Sequence, residues 1–355
     1  ENPWIVFGTA RLHEAQARLE EACALYRQIL HQASGNKLIS QARQGIVRIE
    51  RLQADRYAME IATARDRGST EPGLLVLTAV PGEDKQAAAR SLARVTGIDV
   101  YAARLQIPSR GLRPLRVGPL GELEFFAQSL QHNGVPCFCC SQATLQAFPV
   151  VPVAAIEPVG ASQALAHRLD GHPIAFAWAE IQGRVVGEIP LPGEIVEINQ
   201  RSLKTFRKTD TLDYARFCDL HLGPQQTILR LSDRHYDFQH HADLCSGSTT
   251  AQVLTRTKWD RLLAFITGAI PTATPCCSDF DAFARTVKDA MHLQKLLLGL
   301  ETHIDLSAER VKLAPAAIRQ EALWDAAFML YSALSLLQLR LSSSSQAPAA
   351  SDNTT

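Results

Sequence analysis

The sequence predicts a multidomain α+β chain: a helical hairpin unit, a small α/β sandwich, a small antiparallel β-sheet module and a C-terminal helical segment. Three observations carry this reading. Residues 1–67 repeat apolar side chains at helical spacing. Leu74 to Cys140 alternates short apolar runs with helical stretches. From about residue 168 the pattern becomes short alternating runs bounded by Gly and Pro, and it returns to helical spacing after Ser246-Gly-Ser248. At 355 residues the chain exceeds one ordinary core.

The boundaries follow from composition. Residues 1–67 are helical, and Gly68-Ser-Thr-Glu-Pro-Gly73 is a linker by its Gly and Pro content. Residues 74–158 form the α/β domain, 165–245 the β module, and 249–341 a helical segment that stands alone or packs on that module. Residues 342–355, rich in Ser, read as a disordered tail. Phe148 to Gly160 is spaced by prolines, which argue against both a helix and a central strand.

In the first segment, Trp4, Phe7 and Gly8 have the spacing of the first helix of a helical repeat. Leu19, Ala22, Tyr26 and Leu30 in ARLEEACALYRQIL have that of its second helix. Ile39 to Leu52 repeats the first-helix pattern, and Tyr57 to Arg65 continues helically. These residues resemble the tetratricopeptide repeat, over about one and a half units. The resemblance implies a protein-binding groove lined by first-helix residues, here Trp4, Arg11 and His13. The plainer reading is an ordinary helical hairpin.

In the second segment an apolar strand, LLVLT, leads into the turn Gly82-Glu-Asp-Lys85. A helix, a Thr96-Gly97 break, a second short helix, a strand, a third helix, Asn133-Gly134 and a last strand follow. This order resembles the C-terminal domain of the bacterial ribosomal stalk protein, a small fold shared with the protease adaptor ClpS. Members of that family are docking modules whose basic residues, on the exposed face of the first two helices, engage translation factors. Lys85, Arg90 and Arg104 fall on family basic positions, and Gly97 and Gly134 on family turn glycines. Ala93 and Tyr101 stand where the family has two further basic residues, and Arg94 lies one place away. The implied docking face is therefore Lys85, Arg90, Arg94 and Arg104, and a solvated charged face is the alternative.

In the third segment, Ile174, Phe176 and Trp178 alternate with alanines, and Gln182-Gly183 offers a turn into Arg184–Ile189. Pro190-Leu-Pro-Gly193 punctuates, Glu194–Ile198 follows, and Thr227–Leu231 pairs with His235–Phe238 as a second hairpin. Trp259, Leu262, Leu263 and Ile266 line one later helix. Phe280, Phe283, Val287 and Met291 line a second that runs to Leu300, and Ile318–Leu341 is a third.

Lysine plus arginine equals aspartate plus glutamate at 36 each, which argues against strong non-specific binding of the whole chain to nucleic acid or anionic membrane. The longest apolar run, Ala326–Leu337, is too short to cross a bilayer and reads as a buried helix. Eight cysteines crowd into Cys137-Phe-Cys-Cys140, the pair Cys276-Cys277 and single positions, a poor disulfide framework. With no basic n-region and apolar run at the start, the expected setting is the cytoplasm. Cys137, Cys139 and Cys140 read as core residues of a strand, with Cys140 on the face opposite the other two.

A metal reading rests on Cys218, His221, His240 (or His241) and Cys245, since zinc takes four nitrogen or sulfur ligands in a tetrahedron. Cys218 and His221 sit in a run read as partly helical, after a polar loop over Arg207–Tyr214. Asp213 or Asp233 with His221 or His235 would be the acid–base groups of an enzyme. No Gly-flanked nucleophile elbow or phosphate-cradling loop is present. The leading expectation is a non-catalytic protein-binding adaptor or scaffold without cofactor. The alternatives are a ribosome- or translation-associated factor, helped by the basic run Arg201–Lys208, and a zinc protein or enzyme with its site in 218–245.

Overall fold

The computed structural model describes residues 2–32, 35–198, 205–239, 254–290, 293 and 315–346. It divides into two units, Glu1–Thr70 and Glu71–Thr355, each taken by itself.

The first unit is three helices, α1 (Pro3–Ala15), α2 (Leu19–Gln32) and α3 (Asn36–Arg67). Asn2 caps α1, its side chain accepting from the Trp4 amide, with Pro3 in the first turn where no amide donor is required. The two helical stretches expected at 39–52 and 57–65 are one continuous helix, α3, because no Gly or Pro interrupts residues 46–67. Val6, Ala10, Tyr26, Ile29, Ala42 and Ile49 fill the core. Gly45 is required there: a Cβ on it would stand 2.6 Å from the Tyr26 ring. The Tyr26 hydroxyl donates to Glu14 at 2.7 Å, and Arg48 grips the same carboxylate through two bonds of 3.0 Å. One residue from each helix thus meets in a charged clamp. The Arg48 guanidinium holds the Glu14 carboxyl below its ordinary pKa, and burial beside Glu14 pushes the Tyr26 phenol up to about 12.

The second unit is mixed, with two sheets among the described residues. Its first part runs β1 (Pro72–Thr78), α4 (Lys85–Thr96), α5 (Val100–Gln106), β2 (Leu112–Pro119), α6 (Leu120–His132), β3 (Cys137–Ser141) and α7 (Gln142–Gln146). The three strands form an antiparallel sheet in the order β2-β1-β3. Gly97 ends α4 in the left-handed region at φ 74°, Asp99 caps α5 from its side chain, and Gly134 turns the chain after α6 at φ 75°.

The second sheet has seven strands: β4 (Val150–Val159), β5 (Gln163–Arg168), β6 (Pro173–Ala177), β7 (Ile181–Ile198), β8 (Thr205–Leu222), β9 (Thr227–Ser232) and β10 (Cys276–Cys277). Their order is β10-β7-β8-β9-β4-β5-β6, with β10 parallel to β7 and β4 parallel to β9. The sheet is mixed, larger than the small antiparallel module expected over 165–245. Arg207–Tyr214 is strand, as are Cys218 and His221. His235–Phe238 is not a strand, since β9 pairs with β8 and β4. β7 runs through Pro190-Leu-Pro-Gly193, a register shift between Leu191 and Pro192 absorbing the prolines. β6 and β7 do not form a hairpin: a short 3₁₀ turn, Trp178–Glu180, carries the chain away to the other side of the sheet.

The proline-spaced segment became β4, an interior strand, for a specific reason. Residues 150–153 pair with β9, while 153–159 pair with β5. Pro158 therefore lies beyond the β9 ladder, where the Tyr236 hydroxyl and Asp237 amide bond Ile156 and Ala154 instead. Pro152 lies just outside the β5 ladder, and its carbonyl accepts from the Leu169 amide. Neither ring displaces a donor that two neighbours need.

Among the described residues three further helices follow: α8 (Thr255–Ala269), α9 (Phe280–Asp289) and α10 (Pro315–Gln346). α8 lays Trp259, Leu262 and Ile266 on one face of the large sheet, against Phe176, Trp178, Leu220 and Leu229. On the other face, α10 is buried on all sides over 325–337, as a helix apolar all round must be. It shares a core with α9 (Phe280, Phe283), with Val185, Phe217 and Ile228 of the large sheet, and with Leu74, Val76 and Phe138 of the small one. Segments expected as separate domains thus contribute to one core within residues 71–355. α10 also runs through the serines to Gln346, past the expected boundary at 342, and α9 ends at Asp289; residues 294–300 and 347–355 lie outside the described residues.

Candidate docking surface

The basic residues implicated by the sequence separate into two kinds. Arg90 and Arg94 are one turn apart on the outer face of α4, and Arg104 is exposed on α5. Lys85 lies elsewhere on α4, half-buried, its Nζ donating to the Ser109 hydroxyl at 3.0 Å. Arg94 is anchored to the Asn133 side chain at 2.9 Å. Arg90 and Arg104 make no hydrogen bond or ion pair among the described residues.

Beside these cations α5 exposes an apolar strip. Val100 is 46% exposed, Tyr101 73% and Leu105 58%, with Ile98 at the start of the helix. Tyr101 and Leu105 stack one turn apart, and Val100 stands one turn from Arg104. α5 has only seven residues and commits Ala103 to the core, with Ile107 just after it. Its remaining large apolar side chains therefore have no inner face to occupy. Sequence reading misses them because Tyr101 stands where the stalk family has a basic residue and so reads as a lost charge. The signal was present as VYAARL, too apolar for one turn of buried helix.

On α1, Trp4 is 53% exposed and shares an outer face with Arg11 and the exposed Ile5 and Leu12. His13 is half-buried and stands about 180° round the helix from Trp4. The expected groove of Trp4, Arg11 and His13 is therefore not one surface.

Of the metal candidates, Cys218 and His221 face opposite sides of the large sheet. A strand alternates, so residues three apart face opposite ways. Cys218 points with Leu220 toward α8, while His221 points toward α10, where its Nε2 meets the Ser332 hydroxyl at 3.1 Å. Burial lifts the Cys218 thiol far above its ordinary pKa and pulls His221 down to about 4. His240, His241 and Cys245 lie outside the described residues, as do Arg201–Lys204. Among the described residues no group of three His, Cys, Asp or Glu side chains is arranged to hold a metal ion. Asp233 is committed to structure, accepting from the Arg216 amide at 2.9 Å and pairing with its guanidinium at 3.3 Å. Asp213 pairs with Arg234.

The Cys137 cluster is core. Cys137 donates toward the Ala127 carbonyl of α6, Cys140 toward that of Leu74, and burial pushes both thiols up to about 12, which keeps them protonated and unreactive. Cys276 is exposed and accepts from Arg184 at 3.3 Å.

Under α10 lies a buried polar group that the sequence did not announce. Asp219 and Arg230 are cross-strand partners on β8 and β9, joined by two bonds of 2.9 and 2.6 Å, and at most 2% of either side chain is exposed. The guanidinium lies 5.0 Å from the Phe328 ring centre and touches the Met329 sulfur.

No family model, curated protein or solved structure matches the chain. No helix among the described residues is long and apolar enough to cross a membrane.

Proposed function

We propose that the chain is a non-catalytic protein-binding adaptor and that the α4–α5 face is its docking surface. The observation that carries this is the exposed strip Val100, Tyr101 and Leu105 set beside Arg90, Arg94 and Arg104. Apolar side chains gathered at the surface and rimmed by exposed cations suit a partner that presents apolar residues among carboxylates. The β-α-α-β-α-β order over residues 72–141 supports the likeness to the stalk-protein and ClpS-like docking modules. The three-helix N-terminal unit, with Trp4, Ile5 and Leu12 exposed, supports a second, tetratricopeptide-like surface.

The same basic face favours a second reading, association with ribosomes or translation factors, in which the partner is acidic and part of that machinery.

The test is affinity purification of the full tagged chain from its host, compared with an Arg90→Glu/Arg104→Glu double variant and a Tyr101→Ala/Leu105→Ala double variant. A discrete partner retained by the parent and by Trp4→Ala but lost from both double variants is the expected result. Co-sedimentation of the parent with ribosomes separates the second reading from the first. Partners equally retained by all four proteins would sink the assignment of this face.

A further inference from the structure

A separate feature lies along β2, the edge strand of the small sheet. The β1–β2 ladder pairs Leu77 with Arg113 and Leu75 with Arg116, so Leu115 is an extra, bulged residue. In a regular strand, residues three apart face opposite ways. Here the bulge restores them to one face, since Leu75 and Leu77 share a side of β1 and their partners share it too. The device places two guanidiniums on the same side of the sheet.

Those arginines line a cleft of about 700 Å³, within the range of small-molecule sites. Thr96 at the end of α4, Ile98 of the α4–α5 connection, Gln106 of α5, Phe126 of α6 and Arg285 of α9 complete its walls. The lining contains three arginines and no carboxylate. Two of the three cations are balanced: Arg116 binds buried Glu122 at 2.7 Å and lies 4.6 Å from the Phe126 ring centre, and Arg285 pairs with Asp281. Arg113 is not. Its Nε donates to the Gln106 amide oxygen at 3.0 Å, and no acidic group among the described residues offsets its half-burial. Burial alone lowers its pKa. A guanidinium withdrawn from water without a counter-charge costs free energy unless an anion arrives. Its planar fork matches a phosphate or carboxylate through two parallel bonds.

We propose that this cleft binds a small organic oxyanion, a phosphate or carboxylate carried on an apolar body, held by Arg113 with help from Arg285. The apolar body rests on Ile98, Leu115, Val117 and Phe126. The inference does not depend on the adaptor reading, because the oxyanion grip uses none of Arg90, Arg94 or Arg104.

Isothermal titration calorimetry of the full chain with phenyl phosphate and, in a second arm, with benzoate tests it. Saturable one-to-one binding in at least one arm is expected, and the stronger arm identifies the oxyanion. Arg113→Met, which keeps the apolar stem, should weaken binding about tenfold or more, the loss of a charge-assisted bidentate contact. Arg113→Lys keeps the charge and loses the fork, so it too should weaken binding, and the exposed Arg285→Gln should do so by a smaller factor. If Arg113→Met does not fold by circular dichroism, Arg113→Lys and Arg285→Gln decide the matter. Absence of saturable binding in both arms, or affinity unchanged in the folded variants, overturns the proposal.

Discussion

Removing one half of the Asp219–Arg230 pair is the most exacting test of how the second unit is held together. Asp219 is completely buried and Arg230 nearly so, between the large sheet and α10. Arg230 Nη1 has no hydrogen-bond partner among the described residues, so the cation depends on Asp219 and on the Phe328 ring. Asp219→Leu leaves a buried guanidinium without its carboxylate, and Arg230→Met leaves the reverse. Each should cost about 3–5 kcal/mol. Asp219→Leu/Arg230→Met removes both charges and adds apolar volume beside Met329 and Phe328. It should fall within about 1 kcal/mol of the parent or exceed it, because the desolvation cost of the pair disappears with it. Urea unfolding of the full chain, followed by far-ultraviolet circular dichroism, gives the three free energies. In a unit this large each kcal/mol moves Tm by about 2 °C, so the single variants should melt roughly 6–10 °C lower. A single variant costing under about 1 kcal/mol, or a double variant as damaged as the two singles added together, would refute the reasoning.

His221 is buried with its pKa depressed from 6.5 to about 4, so folding excludes its charged form. Stability is then full above the unfolded value and falls as pH drops through 6.5 toward 4, by about 2 kcal/mol between pH 7 and pH 5. Denaturant unfolding at the two pH values measures this, and His221→Gln should remove that share of the slope. Gly45→Ala drives a methyl group into the Tyr26 ring, and despite the gain in helix propensity it should cost the N-terminal unit about 1–2 kcal/mol, read as a lowered unfolding midpoint. Cys218→Ala should lower stability by about 1 kcal/mol and leave the zinc content found by elemental analysis unchanged; a parallel loss of zinc would restore Cys218 as a ligand.

What the sequence by itself determined is what acts over a few residues. Asn2-Pro3 starts α1, Thr96-Gly97-Ile98-Asp99 ends one helix and caps the next, and Asn133-Gly134 turns toward β3, each through a cap or a left-handed glycine. The order of elements over residues 72–141 was legible for that reason, as was the alternation that buries Cys137 and Cys140 on opposite faces. Only the tertiary structure decided which strand edges meet, because pairing partners far apart in the chain leave no local mark. It placed Pro152 and Pro158 harmlessly in an interior strand by giving β4 different neighbours along its length. It turned Cys218 and His221 to opposite faces by making their segment a strand. It set Asp219 opposite Arg230 through the register of β8 and β9, and it brought Arg113 and Arg116 to one side through a bulge that shows only when β2 is laid against β1.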